Sequence, residues 1–479
     1  MKGSFASAAA LIIAAAGFGA DKLAWPQFRG PNGSGIADDQ KPPVEVGPDK
    51  NVRWKVPTPP GLSSPIVAGD LIVFTAFEND KLYTVAYRRA DGAEAWRKEA
   101  PAKKIETYLK GEGSPAASTP ATDGQRILSY FGSCGLFCYD LAGKELWRHE
   151  LPTAQTVAEF GSGTSPILTD GLVILVRDVV NDPKIIALDA ATGSVKWEKP
   201  RKSNVSYGTP VVLDGPGGKQ VVAAGHARMA AYDLKTGDEK WSVARMPSGP
   251  CASPVAGDGV VYFAGWSPGG PDDKEFRLPS FDQFHQMAKA KEKDVITKDE
   301  AEGTPLKAMF GPVDANKDGK VTRAEWAAVE KFMAEGKNGA FAVQAGGSGD
   351  VTGSHVKWTK AKGLPYVSTA IAYRGQLVMA RDGGQVTAYD LVTGKEVYAQ
   401  ERELANGKYY ASPVAANGHI YFVSLEDGIV TVLTAGSPKP DVVVKNPKLG
   451  ERVAATPAVA DDALYVRTAN HLYAFGEKK

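Results

Sequence analysis

Cysteine is scarce, with three in 479 residues, so disulfides are not the main staple of this fold. Cys134 and Cys138 flank a Cys-Gly turn in FGSCGLFCYD, where they are either a bridge or two small side chains buried in a hairpin; Cys251 is left over. Neither sign of charge is in excess: 56 Lys+Arg against 55 Asp+Glu leave +1, too little for a global field that would hold nucleic acid or an anionic membrane. No CxxCH haem site, no Cys/His zinc spacing and no GxSxG elbow occurs, and His149, His226, His285, His355, His419 and His471 show no metal spacing. Beyond the N-terminus no stretch is long and apolar enough to cross a bilayer.

The N-terminus itself runs from basic MKG through AAALIIAAAGFGA to polar Asp21. This reads as a secretory signal, residues 1–20, cut near Ala20 and too short to span stably, which places the mature protein in the periplasm or outside the cell with no transmembrane span. Composition is globular, 43% hydrophobic and 23% charged.

The remaining sequence repeats. Ser or Thr followed by a short apolar run recurs at SPIVAGD, TPATDG, SPILTDG, TPVVLDG, SPVAGDG, TAIAYRG, SPVAANG and TPAVADD, starting at 64, 119, 165, 209, 253, 369, 412 and 456. A period of about 44 residues signals a solenoid or a propeller. The end of the repeat is marked by a glycine turn four residues before an aromatic, in five units: Gly92 and Trp96, Gly143 and Trp147, Gly193 and Trp197, Gly237 and Trp241, Gly394 and Tyr398. Between these marks lie β-rich runs such as LIVFTAF, LVILVRD and IYFVSL, bounded by turn residues and consistent with four short strands per unit. The last unit stops without its final strand, and NVRWKV at 51–56 is a final strand without a unit. The expectation is an all-β, eight-bladed β-propeller of four-stranded blades closed by the N-terminal strand, with residues 21–50 as an arm packed through Trp25 and Phe28.

The repeated pattern A-x-D-x-x-T-G-x-x-x-W, seen as ALDAATGSVKW and AYDLKTGDEKW, resembles the pyrroloquinoline-quinone-type repeat family over nearly everything from Asn51 onward. That resemblance implies the propeller fold. Its members include quinone-dependent dehydrogenases and a non-enzymatic lipoprotein of the outer-membrane protein assembly machine, so the resemblance leaves function to the site.

One interval between repeats is 72 residues too long. Residues 267–340 therefore form an insert in blade five, dividing the propeller into 51–266 and 341–479. FDQFHQMAKAKEK and AEWAAVEKFMAEG carry helical apolar faces, Phe281, Phe284 and Met287 on one and Trp326, Val329, Phe332 and Met333 on the other. Between them DANKDGKVTRAE resembles an EF-hand loop: Asp314, Asn316 and Asp318 offer side-chain oxygens, Lys320 its carbonyl, Thr322 a hydroxyl, and Glu325 a closing carboxylate, with Gly319 at the sharp turn and Val321 at the apolar place. The expected ion is Ca²⁺, in a constitutive structural site. Upstream, KAKEKDVITKDE has Ile296, Thr297 and Glu300 in the matching tail but Lys289, Lys291 and Lys293 at the early ligand places, which makes it a metal-free partner.

The insert should share a face with the blade-to-blade loops, which bring Phe160, Tyr207, Tyr366, Tyr409 and Tyr410 near the inner strands as candidate ligand contacts for a protein, peptide or carbohydrate. Adjacent cysteines are absent and the metal loop lies outside the propeller body, which argues against a pyrroloquinoline quinone pocket. The reading is a calcium-binding envelope scaffold without enzymatic activity; the alternative is a quinone-dependent dehydrogenase or another carbohydrate-active enzyme.

Overall fold

The computed structural model describes residues 24–269 and 278–477; the expected signal, residues 1–20, lies outside them. Among the described residues the chain forms eight four-stranded antiparallel sheets, with one additional short parallel strand on the fourth, and a separate two-stranded pair in the insert. Innermost strands are short, and those such as Ile66–Ala68 and Val414–Ala416 are apolar and buried throughout, whereas outer strands such as Glu145–Glu150 alternate between water and the next blade. The sheet of Ala458–Ala460, Ala463–Arg467 and His471–Phe475 takes its fourth strand from Val52–Pro57, with Trp54 opposite Ala474.

The recurrent Ser/Thr at each repeat start has a physical purpose. The backbone N–H of Ser64 donates to the Thr119 hydroxyl, that of Thr119 to Ser165, and so on through Thr209, Ser253, Thr369, Ser412 and Thr456, whose N–H returns to Ser64 at 2.9 Å. The chain of bonds is closed and joins every blade to the next around the axis, satisfying amides that no strand ladder reaches.

The outer end of the repeat is equally explicit. Asp189 accepts from the N–H groups of Ala191 and Thr192 and from the Thr192 hydroxyl, and Gly193 then turns back to the Asp189 carbonyl. The preceding blade's tryptophan lies on that turn. Trp54, Trp96, Trp147, Trp197 and Trp358 donate their indole N–H to the carbonyls of Arg89, Leu141, Ala190, Leu234 and Leu391 in the following blade. A Cβ on Gly237 would stand 2.4 Å from the Trp197 ring, so this turn requires glycine for room as well as for its φ of +73°. Trp241 is the exception: blade five has no such turn to cover, and the indole bonds Gln220 of its own blade.

The arm enters the axial channel. Carbonyls of Trp25 and Pro26 accept from Val67 and Thr122, Asn32 bonds Val212 in both directions, and Ile36 bridges Ala415. These partners lie three residues farther along their inner strands than the Ser/Thr ring, so the arm fills the channel below it. Trp25 is completely buried in the core shared by blades seven, eight and one.

In blade five the second strand, Val260–Gly265, pairs with Gly339–Gln344, and the insert leaves between them. Its stem is clasped by Asn338, which accepts from Ser267 N–H and donates to the Ser267 carbonyl. Helices Phe281–Ala288 and Arg323–Ala334 enclose a separate small core in which Phe284 meets Trp326 edge-on at 4.8 Å. Val295–Thr297 and Lys320–Thr322 form a short antiparallel pair that sets Ile296 opposite Val321.

Candidate functional site

A cavity of about 700 Å³ sits on the axis above the Ser/Thr ring. Its floor is that ring with Phe28 of the arm; its walls are blade-to-blade connections carrying Phe160, Tyr207, Tyr366 and Tyr410; its roof is the insert, through Met309, Val329, Phe332 and Met333. Tyr409 does not belong to it. That ring is buried in the core of blades six and seven, its hydroxyl donating to the Ala405 carbonyl at 2.6 Å, because consecutive loop residues point in opposite directions.

The roof is fixed to the propeller at several points. Phe332 stacks on His226 at 4.1 Å, whose ring nitrogens meet the Ser248 carbonyl at 2.7 Å and Glu335 at 3.0 Å. Lys317 pairs with Glu159 in the turn beside Phe160. The walls hold one another: Phe160 meets Tyr207 edge-on, Tyr366 meets Trp266, and the Tyr410 hydroxyl donates to Glu112 beneath the Arg452 guanidinium. Among the lining residues the charged side chains are Glu112 and Glu325.

Glu325 links this cavity to the oxygen-rich loop. Its Oε2 accepts from the N–H and hydroxyl of Thr322 at 2.8 Å, closing a reciprocal cap on helix Arg323–Ala334, while Oε1 accepts from Ala315 N–H at 3.1 Å. Asp314 receives the N–H groups of Asp318 and Gly319, and Asp318 that of Lys320; Asn316 donates to Asp318 at 3.0 Å. Thus Asp314, Asn316, Asp318, Lys320, Thr322 and Glu325 share one turn, held largely by its own amides. The donors are all oxygen, the set a hard cation takes, yet among the described residues no three His, Cys, Asp or Glu side chains converge closely enough to hold a metal.

The three thiols are free, and burial pushes each up to about 12, so they are inert at neutral pH. Glu106 was not visible in the sequence as a special residue. It is buried, receives the N–H and hydroxyl of cavity-lining Ser162 at 3.1 and 2.7 Å, and lies so close to Gly132 that a Cβ there would come within 2.4 Å of its carboxylate. Burial outweighs those bonds and raises its pKa from 4.5 to about 7. A carboxyl that holds its proton longer when folded contributes stability below pH 4.5 that is lost as pH rises to about 7 and is then constant. The loss amounts to about 3 kcal/mol. Glu106→Gln is expected to remove this fall; wild-type and variant urea-unfolding free energies that stay parallel between those pH values would show that the proton is not on Glu106.

The family described as outer membrane protein assembly factor BamB matches residues 44–160, 84–267 and 313–478. Among solved structures, BamB from Moraxella catarrhalis is 13% identical with a TM-score of 0.54, covering 91% of this chain and 97% of its own. Quinohemoprotein alcohol dehydrogenase from Comamonas testosteroni is 13% identical at 0.55, covering 96% and 82%, and a europium-containing methanol dehydrogenase is 11% identical at 0.51, covering 94% and 98%. Likeness at such identity is likeness of fold. Among curated proteins no sequence matches.

Proposed function

We infer function from one premise: this chain belongs to the propeller family described as outer membrane protein assembly factor BamB. We propose that it is an exported binding scaffold of the cell envelope, without enzymatic activity, whose axial cavity receives a segment of another molecule and whose insert carries a calcium ion. The observation that carries the reading is the cavity: aromatic and aliphatic walls from the propeller, a helical roof from the insert, and a floor of hydroxyls already engaged in closing the ring. No helix among the described residues is long and apolar enough to cross a membrane.

The dehydrogenase alternative fits these residues poorly. A pyrroloquinoline quinone carries several carboxylates, and the cavity lining holds two glutamates and no Lys, Arg or His to balance them. The free thiols Cys134 and Cys138 sit in blade two rather than in this lining.

For calcium, Asp314, Asn316, Asp318, the Lys320 carbonyl, Thr322 and Glu325 supply the ligands, and the pair Ile296–Val321 ties the loop to its lysine-bearing neighbour. The cavity is tested with the neutral dye N-phenyl-1-naphthylamine. Its fluorescence is expected to rise on binding, and Ala328→Trp, which places an indole in the roof, is expected to abolish that rise while leaving thermal unfolding unchanged. Dye binding that survives the substitution would place the ligand elsewhere.

A further inference from the structure

The cavity combines two features that select the same chemistry. Six aromatic rings face it, Phe28, Phe160, Tyr207, Phe332, Tyr366 and Tyr410, none of them fully buried. Its charged side chains are both carboxylates, Glu112 exposed at the mouth and Glu325 half-buried under the roof. Ring faces carry partial negative charge, and an ammonium over them gains most when water is excluded. An anion entering the same space meets like charge and no guanidinium or ammonium in the lining.

We propose that the cavity recognises the alkylammonium group of a lysine carried on an apolar, extended peptide segment. This deepens the scaffold reading and rests on it. The aliphatic stem of lysine suits walls of Val, Ala, Pro and Met, and its terminal charge suits the carboxylates. Gly113, Gly161, Gly163 and Gly249 bring main chain to the cavity surface, which leaves room for an extended peptide, although the N–H groups of Gly113, Gly161 and Gly249 are already bonded to Leu109, Thr156 and Ser267. Arg452 is a guanidinium behind this wall: it lies over Tyr410 at 5.7 Å and donates to the Gly111 carbonyl, taking one ring face and leaving the Glu112 carboxylate to the Tyr410 hydroxyl. Lys317, on the loop behind the roof, is committed to Glu159.

The experiment is run on the full mature chain in EDTA, so that Glu325 holds no ion. A capped apolar hexapeptide with one central lysine and its norleucine counterpart compete against the neutral dye. The lysine peptide is expected to bind about tenfold more tightly. The ratio should shrink in high salt and in both Glu112→Gln and Glu325→Gln, neither of which alters side-chain volume. Saturating calcium withdraws Glu325 and should reduce the ratio without abolishing it. Equal affinities for the two peptides, with the dye still bound and displaced, would overturn the ammonium preference and leave the scaffold reading standing. Displacement by decyltrimethylammonium as effective as by the lysine peptide would overturn the peptide as occupant. Failure of the dye itself to bind removes both readings.

Discussion

Trp197→Ala is expected to lower the free energy of unfolding by about 4 kcal/mol, the cost of emptying a buried aromatic site that cannot collapse. Trp197 is 8% exposed and closes the seam between blades three and four, with its indole on the Gly237 turn and its N–H on the Leu234 carbonyl at 3.0 Å. Gly237→Ala should be costly for the reciprocal reason, because its methyl would meet that indole at 2.4 Å. The pair gives a sharper test than either alone. In the Trp197→Ala background the collision is gone, so Gly237→Ala should cost only the strain of its positive φ, about 1 kcal/mol. Additive effects in a urea-unfolding cycle would mean that the two residues do not act through this contact. Because the arrangement recurs at Trp54, Trp96, Trp147 and Trp358, the same cycle should transfer to those seams.

The second large effect concerns the insert. Calcium at about a thousandfold over its dissociation constant is expected to add about 4 kcal/mol to opening of the insert, read as slowed hydrogen exchange at the Asp318, Gly319 and Lys320 amides. These amides are already bonded to Asp314 and Asp318, so their protection reports on the loop itself. Glu325→Gln is the informative variant, since glutamine also serves at the third helical position of a capping box and should preserve the cap on Arg323–Ala334. Calcium affinity unchanged in that variant would sink the site. Lost affinity with no change in calcium-dependent protection would refute its structural role. The propeller has a separate core and should unfold at the same urea concentration with or without the ion.

The repeat was legible because each unit must solve the same two problems, closing on its neighbour at the axis and at the rim. Those solutions leave marks at fixed spacing: Ser64 and its seven counterparts at the axis, Gly193 with Trp147 at the rim. Irregular partners left no such mark. Trp358 escaped notice because the loop before it, Ala345–His355, carries Gly349–Asp350 back onto blade four instead of forming the usual glycine turn. Glu106 looked like any loop glutamate; only the approach of Gly132 and Ser162, from other connections, makes it a buried acid.

For the site, the sequence pointed to the blade-to-blade loops and to five rings there; in the structure Phe160, Tyr207, Tyr366 and Tyr410 line the cavity, and Tyr409 lies in the core instead. Adjacent tyrosines in a loop carry no periodicity that says which one turns inward. The apolar stripe of helix Arg323–Ala334 was readable, but not its division: Trp326 packs into the insert's own core, Phe332 and Met333 roof the cavity, and Val329 borders both. Sequence by itself determined the number of blades and their strand content, because these follow from local spacing and from backbone groups that must be paired wherever the chain runs. The cavity, its two carboxylates and the burial of Glu106 were decided by tertiary structure alone. They depend on which side chains meet across loops tens to hundreds of residues apart, and no local rule of periodicity or turn chemistry encodes that meeting.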